Sequence, residues 1–191
     1  LLYFFFGRDT GKLKYINRRS LSQIQQRTHL YYRSQSRVVP PAGYTQLVAY
    51  LENTASAYPM TGSDVRVPGS VSVFVDELLE AITSAKEYVH LQFYIFENDE
   101  TGTRVRDALV AKAREGVEVR VIYDSVGCWS VPRCFFEEIR FAGGQVEAFL
   151  KVRFPVLGNR VNYRNHRKVV IIDGKLGYIG GCNIADRYVK G

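Results

Sequence analysis

Apolar residues recur along the second half of the chain with the spacings of alternating helices and strands. Residues 72–86 illustrate the helical spacing, with apolar side chains at Val75, Leu78, Leu79 and Ile82. The same reasoning predicts helices over 44–51, 72–86, 103–115 and 134–141, and strands over 89–96, 117–123, 146–149, 169–172 and 176–179. This alternation favours an α/β fold, in which helices flank a mixed, mostly parallel sheet.

Basic residues are concentrated at the N-terminal end of the chain. The 191 residues carry a net charge of +7, and residues 1–40 hold eight Lys and Arg against Asp9 alone, so the rest of the chain is neutral. We expect three parts: an apolar stretch over 1–7, a basic arm over 8–40 and a globular domain over 41–191. Because a nucleic-acid-binding face usually has its own positive excess, the neutral domain argues against a nucleic acid partner.

The first six residues, Leu-Leu-Tyr-Phe-Phe-Phe, are apolar but too few to cross a bilayer, which needs about 20. We interpret them as the last turns of a transmembrane helix. Basic residues beside such a helix mark its cytoplasmic side, and the arm can lie on anionic lipid headgroups. A frayed or processed terminus, a strand packed into the core and a solvated linker remain as alternatives.

Cysteine and histidine spacings lack the patterns of a disulfide framework or a zinc site. Cys128, Cys134 and Cys182 are odd in number and have no CxxC spacing, which favours a reducing compartment. The three His residues are far apart in the sequence. We therefore expect neither a metal ion nor another cofactor.

The most informative chemistry lies where the strand over 169–172 begins. His166 and Lys168 stand two residues apart, so an extended backbone points both side chains the same way. An imidazole beside an ammonium is a poor structural pair, but the two suit a phosphate placed between them. The imidazole can attack phosphorus while the ammonium holds the non-bridging oxygens. Further on, Gly180, Gly181 and Asn183 offer close backbone approach and an amide donor to a phosphate.

Structural explanations for these residues remain open. His166 could cap a strand, and Lys168 could be a solvated edge residue. Asp173 could serve only as the turn residue of the Asp173-Gly174 hairpin between the last two predicted strands.

Three other residues are weaker candidates for the site. Gln92 shares a strand face with His90 and Tyr94 and could line a pocket, although such polar residues are ordinary in strands. Asp124 ends a predicted strand, where open α/β sheets place ligand loops, but capping of a helix or turn is the more ordinary role for such a residue. Arg164 could attract a lipid phosphate or be a solvated loop residue.

The spacing His166-x-Lys168-xxxx-Asp173-xxxxxx-Gly180-Gly181-x-Asn183 resembles the HKD signature of the phospholipase D superfamily. Gly181 departs from it, because the family usually has Ser at that position. Bacterial cardiolipin synthases are the most similar branch, on residues 90–96, 116–120 and 162–168. The resemblance covers residues 70–191 well and 1–69 loosely.

This resemblance implies a phospholipase D-like half-domain that works without a metal. It implies phosphatidyl transfer through a phosphohistidine, with His166, Lys168 and Asp173 as the catalytic residues. The branch implies cardiolipin synthesis from two phosphatidylglycerols, with release of glycerol, at the cytoplasmic side of a bacterial cell membrane.

Members of the family bring two HKD motifs together at one site, and this sequence contains one. We therefore expect the N-terminal half of a longer enzyme, whose second motif comes from the same chain or from a dimer partner. The alternatives are a phosphatidylserine-synthase-like transferase, a phospholipase D-type hydrolase or nuclease, and a non-catalytic membrane-binding module. Gly181 and the single motif are the features that suggest the last alternative.

Overall fold

The computed structural model describes residues 38–55, 57–59, 62–151 and 164–190, together with four residues in the stretch 23–30. The expected membrane-helix remnant over 1–7 and most of the expected basic arm lie outside these residues. The chain divides into two compact units, Leu1–Arg66 and Val67–Gly191. No helix of the described residues is long and apolar enough to cross a membrane.

In the first unit, helix α1 spans Thr45–Ala55, four residues beyond the end of the predicted helix. None of its residues is buried. Apolar side chains exposed on it or just before it include Tyr44, Leu47 and Tyr50.

The second unit contains one five-stranded sheet in the order β3-β2-β1-β4-β5. Its strands are β1 (Tyr88–Phe93), β2 (Glu118–Asp124), β3 (Gln145–Phe149), β4 (Val169–Ile172) and β5 (Leu176–Ile179). The first three strands are parallel, whereas β4 is antiparallel to both β1 and β5. The predicted mixed, mostly parallel sheet flanked by helices is confirmed.

Four helices accompany this sheet: α2 (Val71–Ser84), α3 (Glu100–Arg114), α4 (Arg133–Phe141) and α5 (Asp186–Val189). Ser70 caps α2 by accepting from the Val73 amide, and Asp99 caps α3 by accepting from the Gly102 amide. Because Asp99 provides this cap, α3 begins three residues before its predicted start. Gly116, with φ of 87°, follows the last turn of α3 and allows the chain to leave it.

The hydrophobic core lies between the helices and one face of the sheet. Alternate strand residues are buried there, as the sequence of β1 shows with Val89, Leu91 and Phe93. Leu78 of α2 and Leu109 of α3 are fully buried in the same core. Each such side chain contributes about 1.5–3 kcal/mol through removal from water, which fixes the sheet that carries the site.

The hairpin between β4 and β5 turns at Asp173 and Gly174, as predicted. Both residues have positive φ, 51° and 65°, the conformation that a tight turn of this hand requires. The Lys175 amide donates to the Ile172 carbonyl at 3.1 Å and closes the turn.

Candidate active site

The ends of two neighbouring strands bring the candidate catalytic residues together. Because β4 is antiparallel to β1, with Gln92 opposite Val169, the residues just before β4 lie beside those just after β1. Tyr94, which follows β1, is the contact point. Its ring centroid lies 4.9 Å from that of His166 and 5.5 Å from the Lys168 ammonium nitrogen. His166 and Lys168 therefore share one aromatic neighbour at one end of the sheet.

Lys168 is a buried cation. Its side chain donates from Nζ to the backbone carbonyl of His166 at 2.9 Å, and the residue is only 4% exposed. Burial lowers the pKa of this lysine, while Tyr188 and Cys182 nearby act in the opposite direction. The ammonium is thus held in place close to His166 by the segment that carries both residues.

The side chain of His166 is exposed, in contrast to Lys168. An accessible imidazole beside a fixed ammonium can attack a phosphorus atom while the cation stabilises the developing charge on the oxygens. The arrangement suits a phosphodiester that approaches from solvent.

Asp173 lies at the other end of β4. The four residues of β4 lie between it and Lys168, and the five steps of extended chain from Lys168 to Asp173 span about 16 Å. Its carboxylate accepts from the backbone amides of Lys86, Glu87 and Tyr88, each at 2.8 Å. These three amides lower the pKa of Asp173. This geometry supports the structural alternative for Asp173, since the carboxylate holds the residues that lead into β1.

The buried side chain of Asn183 holds the loop after β5 in place through hydrogen bonds. The residue is 3% exposed; its Oδ1 accepts from the Ile95 amide at 3.1 Å, and its Nδ2 donates to the Tyr188 hydroxyl at 2.9 Å. The loop also reaches Lys168, because the Gly180 amide donates to the Lys168 carbonyl at 3.3 Å. Gly180 and Gly181 are exposed, and a Cβ at either position would meet no atom within 4 Å. The loop therefore leaves open space at Gly180 and Gly181, close in sequence to the buried side-chain amide of Asn183.

Gln92 and Arg164, the remaining sequence candidates, have different surroundings. Gln92 is half-buried on β1 opposite Val169, one residue from Lys168 along β4. Arg164 lies with Nη1 3.3 Å from Oδ1 of Asp124, and its side chain is 14% exposed. The charge of Arg164 is thus placed against a buried carboxylate.

Sequence reasoning missed Tyr188. Its hydroxyl accepts a hydrogen bond from Asn183, and the residue acts to raise the pKa of Lys168. Its position in the short helix α5 carries no pattern that points to the site. The sequence pattern places Tyr94 on a strand face with His90 and Gln92, and its position near the end of a strand that lies beside the His-x-Lys pair is a usable signal.

No group of three or more His, Cys, Asp and Glu side chains with metal-binding geometry exists within the described ranges. Cys128 is buried and accepts from the Phe96 amide through Sγ at 3.2 Å. Burial raises the pKa of this thiol to about 12, so Cys128 is a packing residue under ordinary conditions.

A mixed β-sheet flanked by helices, with a His-x-Lys pair at one strand end, is the arrangement of a phospholipase D-like domain. Residues 78–191 match the family described as "Cardiolipin synthase, PLD-like domain", and the chain belongs to this family.

Named relatives agree with this family. The chain is 49% identical over 126 residues to the major cardiolipin synthase ClsA of Bacillus subtilis, an alignment of 63% of this chain and 26% of that protein. It is 33% identical to a cardiolipin synthase of Alkalihalophilus pseudofirmus over 98% of this chain and 38% of that protein. The chain thus spans about a quarter to two fifths of the length of these relatives.

Among solved structures, the chain is similar to a phospholipase D family member, Nuc from Salmonella typhimurium. The identity is 25%, the TM-score is 0.43, and the match covers 60% of this chain and 66% of that one.

Proposed function

We propose that this chain provides the phosphate-attacking half of a cardiolipin synthase. The observation that carries the proposal is the exposed imidazole of His166 and the buried ammonium of Lys168 against the single ring of Tyr94. The cardiolipin synthases that share up to 49% identity with the chain support phosphatidylglycerol as the substrate.

In the proposed reaction, a ring nitrogen of His166 attacks the phosphorus of phosphatidylglycerol. The N–P bond forms as the P–O bond to the glycerol headgroup breaks, and the leaving oxygen takes a proton from the His of a second HKD motif. The hydroxyl of a second phosphatidylglycerol then attacks the phosphohistidine, so that a new P–O bond forms as the N–P bond breaks, and its proton goes to the His of the second motif. The products are cardiolipin and free glycerol, and His166 is regenerated.

Lys168 supplies positive charge to the non-bridging oxygens during both displacements. We assign the open backbone at Gly180 and Gly181 to the approach of the phosphate, and Asn183 to holding that loop. Asp173 supports the site through β1, and Gln92 and Arg164 border it. The mechanism needs no metal and no other cofactor.

The second HKD half comes from the same chain or from a dimer partner. We place the reaction at the cytoplasmic side of the bacterial cell membrane, where the apolar start and the basic arm of the chain meet the bilayer. Both placements rest on the sequence pattern and on the relatives' function as cardiolipin synthases.

The test is His166→Ala in the full-length protein, assayed for conversion of phosphatidylglycerol to cardiolipin and glycerol. We expect turnover to fall by about 10³-fold or more, because removal of a nucleophile leaves only binding and charge stabilisation. An acid-labile phosphoenzyme trapped from the wild type should be missing in the variant.

His90→Ala is the matched control. His90 is half-exposed and lies on β1, with Nε2 2.6 Å from Glu118 Oε1. This variant should keep turnover and phosphoenzyme. If His166→Ala retains near-normal transfer, or if both variants lose it equally, His166 is not the nucleophile and the proposal fails.

A further inference from the structure

Asp124 is a fully buried carboxylate at the carboxyl end of β2. Its Oδ1 accepts from the amides of Val126 and Gly127 at 2.9 and 3.2 Å, which is the pattern of a turn cap. This part of its surroundings agrees with the turn-cap interpretation of the sequence.

The other contacts of Asp124 go beyond a cap. Oδ2 accepts from the backbone amide of Asn165 at 3.1 Å, and Oδ1 lies 3.3 Å from Nη1 of Arg164. These partners are 40 and 41 residues further along the chain and directly precede His166. A single carboxylate therefore joins the loop after β2 to the segment that carries the proposed nucleophile.

The same loop also touches the aromatic neighbour of His166. Cys128 contacts the Tyr94 carbonyl through Sγ at 3.7 Å, and its amide donates to the Asp124 carbonyl at 3.0 Å. A Cβ at Gly127 would lie 2.1 Å from the Tyr94 carbonyl oxygen, so glycine permits this close approach. Asp124 thus stabilises a loop that packs against Tyr94, and Tyr94 in turn contacts both His166 and Lys168.

We propose that Asp124 is a positioning residue for His166. It holds the backbone one residue before the imidazole through Asn165, and it holds Tyr94 through the loop 125–128. Burial of the charge makes this arrangement stiff, because a buried carboxylate needs all of its donors. This inference rests on the proposed role of His166 as nucleophile.

The experiment is Asp124→Asn in the full-length protein. Asparagine has one acceptor oxygen, so it cannot serve both the Val126–Gly127 side and the Asn165 amide, and it loses the charge that faces Arg164. We expect kcat for cardiolipin formation to fall by about 10- to 100-fold, since small displacements of a reacting group have effects of that size. The KM for phosphatidylglycerol should change by less than about threefold.

A second readout is independent of turnover. This chain contributes three His residues to a ¹⁵N-histidine spectrum of the full-length protein, and comparison with His166→Ala identifies the imidazole signals of His166. In Asp124→Asn the His166 signals should shift or broaden, while those of His90, which is paired with Glu118, should stay in place. The His166 signals therefore test the positioning role of Asp124 even if the protein does not transfer phosphatidyl groups.

Two controls separate positioning from general destabilisation. Asp76→Asn removes an exposed aspartate–arginine pair with Arg104 and should leave kcat and the His166 signals unchanged. Val105→Ala lowers the melting temperature through the core without touching the site. If the loss of kcat in Asp124→Asn is matched by Val105→Ala at equal stability, Asp124 acts only through folding.

Arg164→Gln is the second variant, to be used if Asp124→Asn does not fold. It removes the ion pair and leaves the three backbone amides on Asp124, so a smaller perturbation of the His166 signals is expected. Unchanged His166 signals in every Asp124 and Arg164 variant that folds would overturn the inference.

Discussion

At the scale of single residues, the candidate site contains a buried lysine. The Lys168 ammonium lies against the Tyr94 ring and donates to the His166 carbonyl, and its pKa is lowered by burial while Tyr188 and Cys182 act in the opposite direction. The cation that the proposed mechanism requires is therefore easier to deprotonate than an ordinary lysine.

This environment predicts an alkaline limit on activity. As pH rises, kcat should fall at a pH below the ordinary lysine pKa, because neutral Lys168 no longer holds the non-bridging oxygens. Lys168→Arg should move that limit to higher pH, since a guanidinium stays charged, at a cost of about tenfold or more in kcat. The measurement is kcat against pH. Lys112→Arg, at a buried lysine paired with Glu115, is the control that should not move the limit.

The sequence was sufficient to predict that His166 and Lys168 lie together at one strand end, because a period of two is a local property. It was not sufficient for the carboxylates. The partners of Asp124 lie up to 41 residues away and those of Asp173 up to 87 residues away, so only the folded sheet brings them together. Tyr188 escaped notice for a different reason: its partner Asn183 is only five residues away, but the short helix α5 carries no pattern that points to the site.

At the scale of elements, the two ends of β4 have separate tasks. One end carries His166 and Lys168, and the other carries Asp173, which accepts from three amides at the start of β1 and donates its own amide to the Tyr88 carbonyl at 3.0 Å. Asp173 therefore sets where β1 and β4 pair, and through that register it sets the position of Lys168.

We predict that Asp173→Asn weakens the fold more than the chemistry. Its lowered pKa means that the ionised carboxylate stabilises the folded state above the ordinary aspartate pKa, and that this stabilisation is lost as pH falls through the folded-state pKa. The variant's melting temperature should be lower by several degrees at pH 7 and should converge on that of the wild type in acid. Asparagine tolerates positive φ, so the turn itself is kept.

Thermal unfolding from pH 7 to pH 3 checks this, with Asp76→Asn as the exposed control. Below its melting temperature, Asp173→Asn should keep kcat within about tenfold of the wild type. A much larger loss of kcat in a fully folded variant would contradict the structural role and restore the catalytic one that the resemblance implies.

Helices and strands could be predicted from the sequence, but several of their ends could not. β1 ends at Phe93 instead of residue 96, because the next amides bind elsewhere. The Ile95 amide donates to Asn183, and the Ile95 carbonyl accepts from Ile184. No local pattern reveals these partners of Ile95, which come from residues 183 and 184. Because they end the strand at Phe93, Tyr94 lies outside it, with its ring at the site.

At the scale of the whole molecule, the net positive charge lies at the N-terminal end of the chain. Residues 1–40 hold a net charge of +7, equal to that of the entire chain, so residues 41–191 are together neutral. A neutral segment gains little from an anionic surface, so we expect the electrostatic attraction to a membrane to come mostly from residues 8–40.

The arm should therefore decide vesicle binding. Arg18→Gln, Arg19→Gln and Arg27→Gln together should weaken binding of the full chain to phosphatidylglycerol-containing vesicles by up to about 3 kcal/mol, at about 1 kcal/mol per charge. Binding should also weaken steeply with salt, because the Debye length falls from about 10 Å at 0.1 M to about 3 Å at 1 M. Co-sedimentation at low and high salt measures both effects.

The control is a second triple variant, Arg104→Gln, Arg114→Gln and Arg120→Gln, which removes the same number of charges from residues 41–191. If the basic arm contacts the membrane, this variant should lose less vesicle-binding free energy than the arm variant. Equal losses from the two triple variants would show that net charge alone governs binding and that the arm is only a linker.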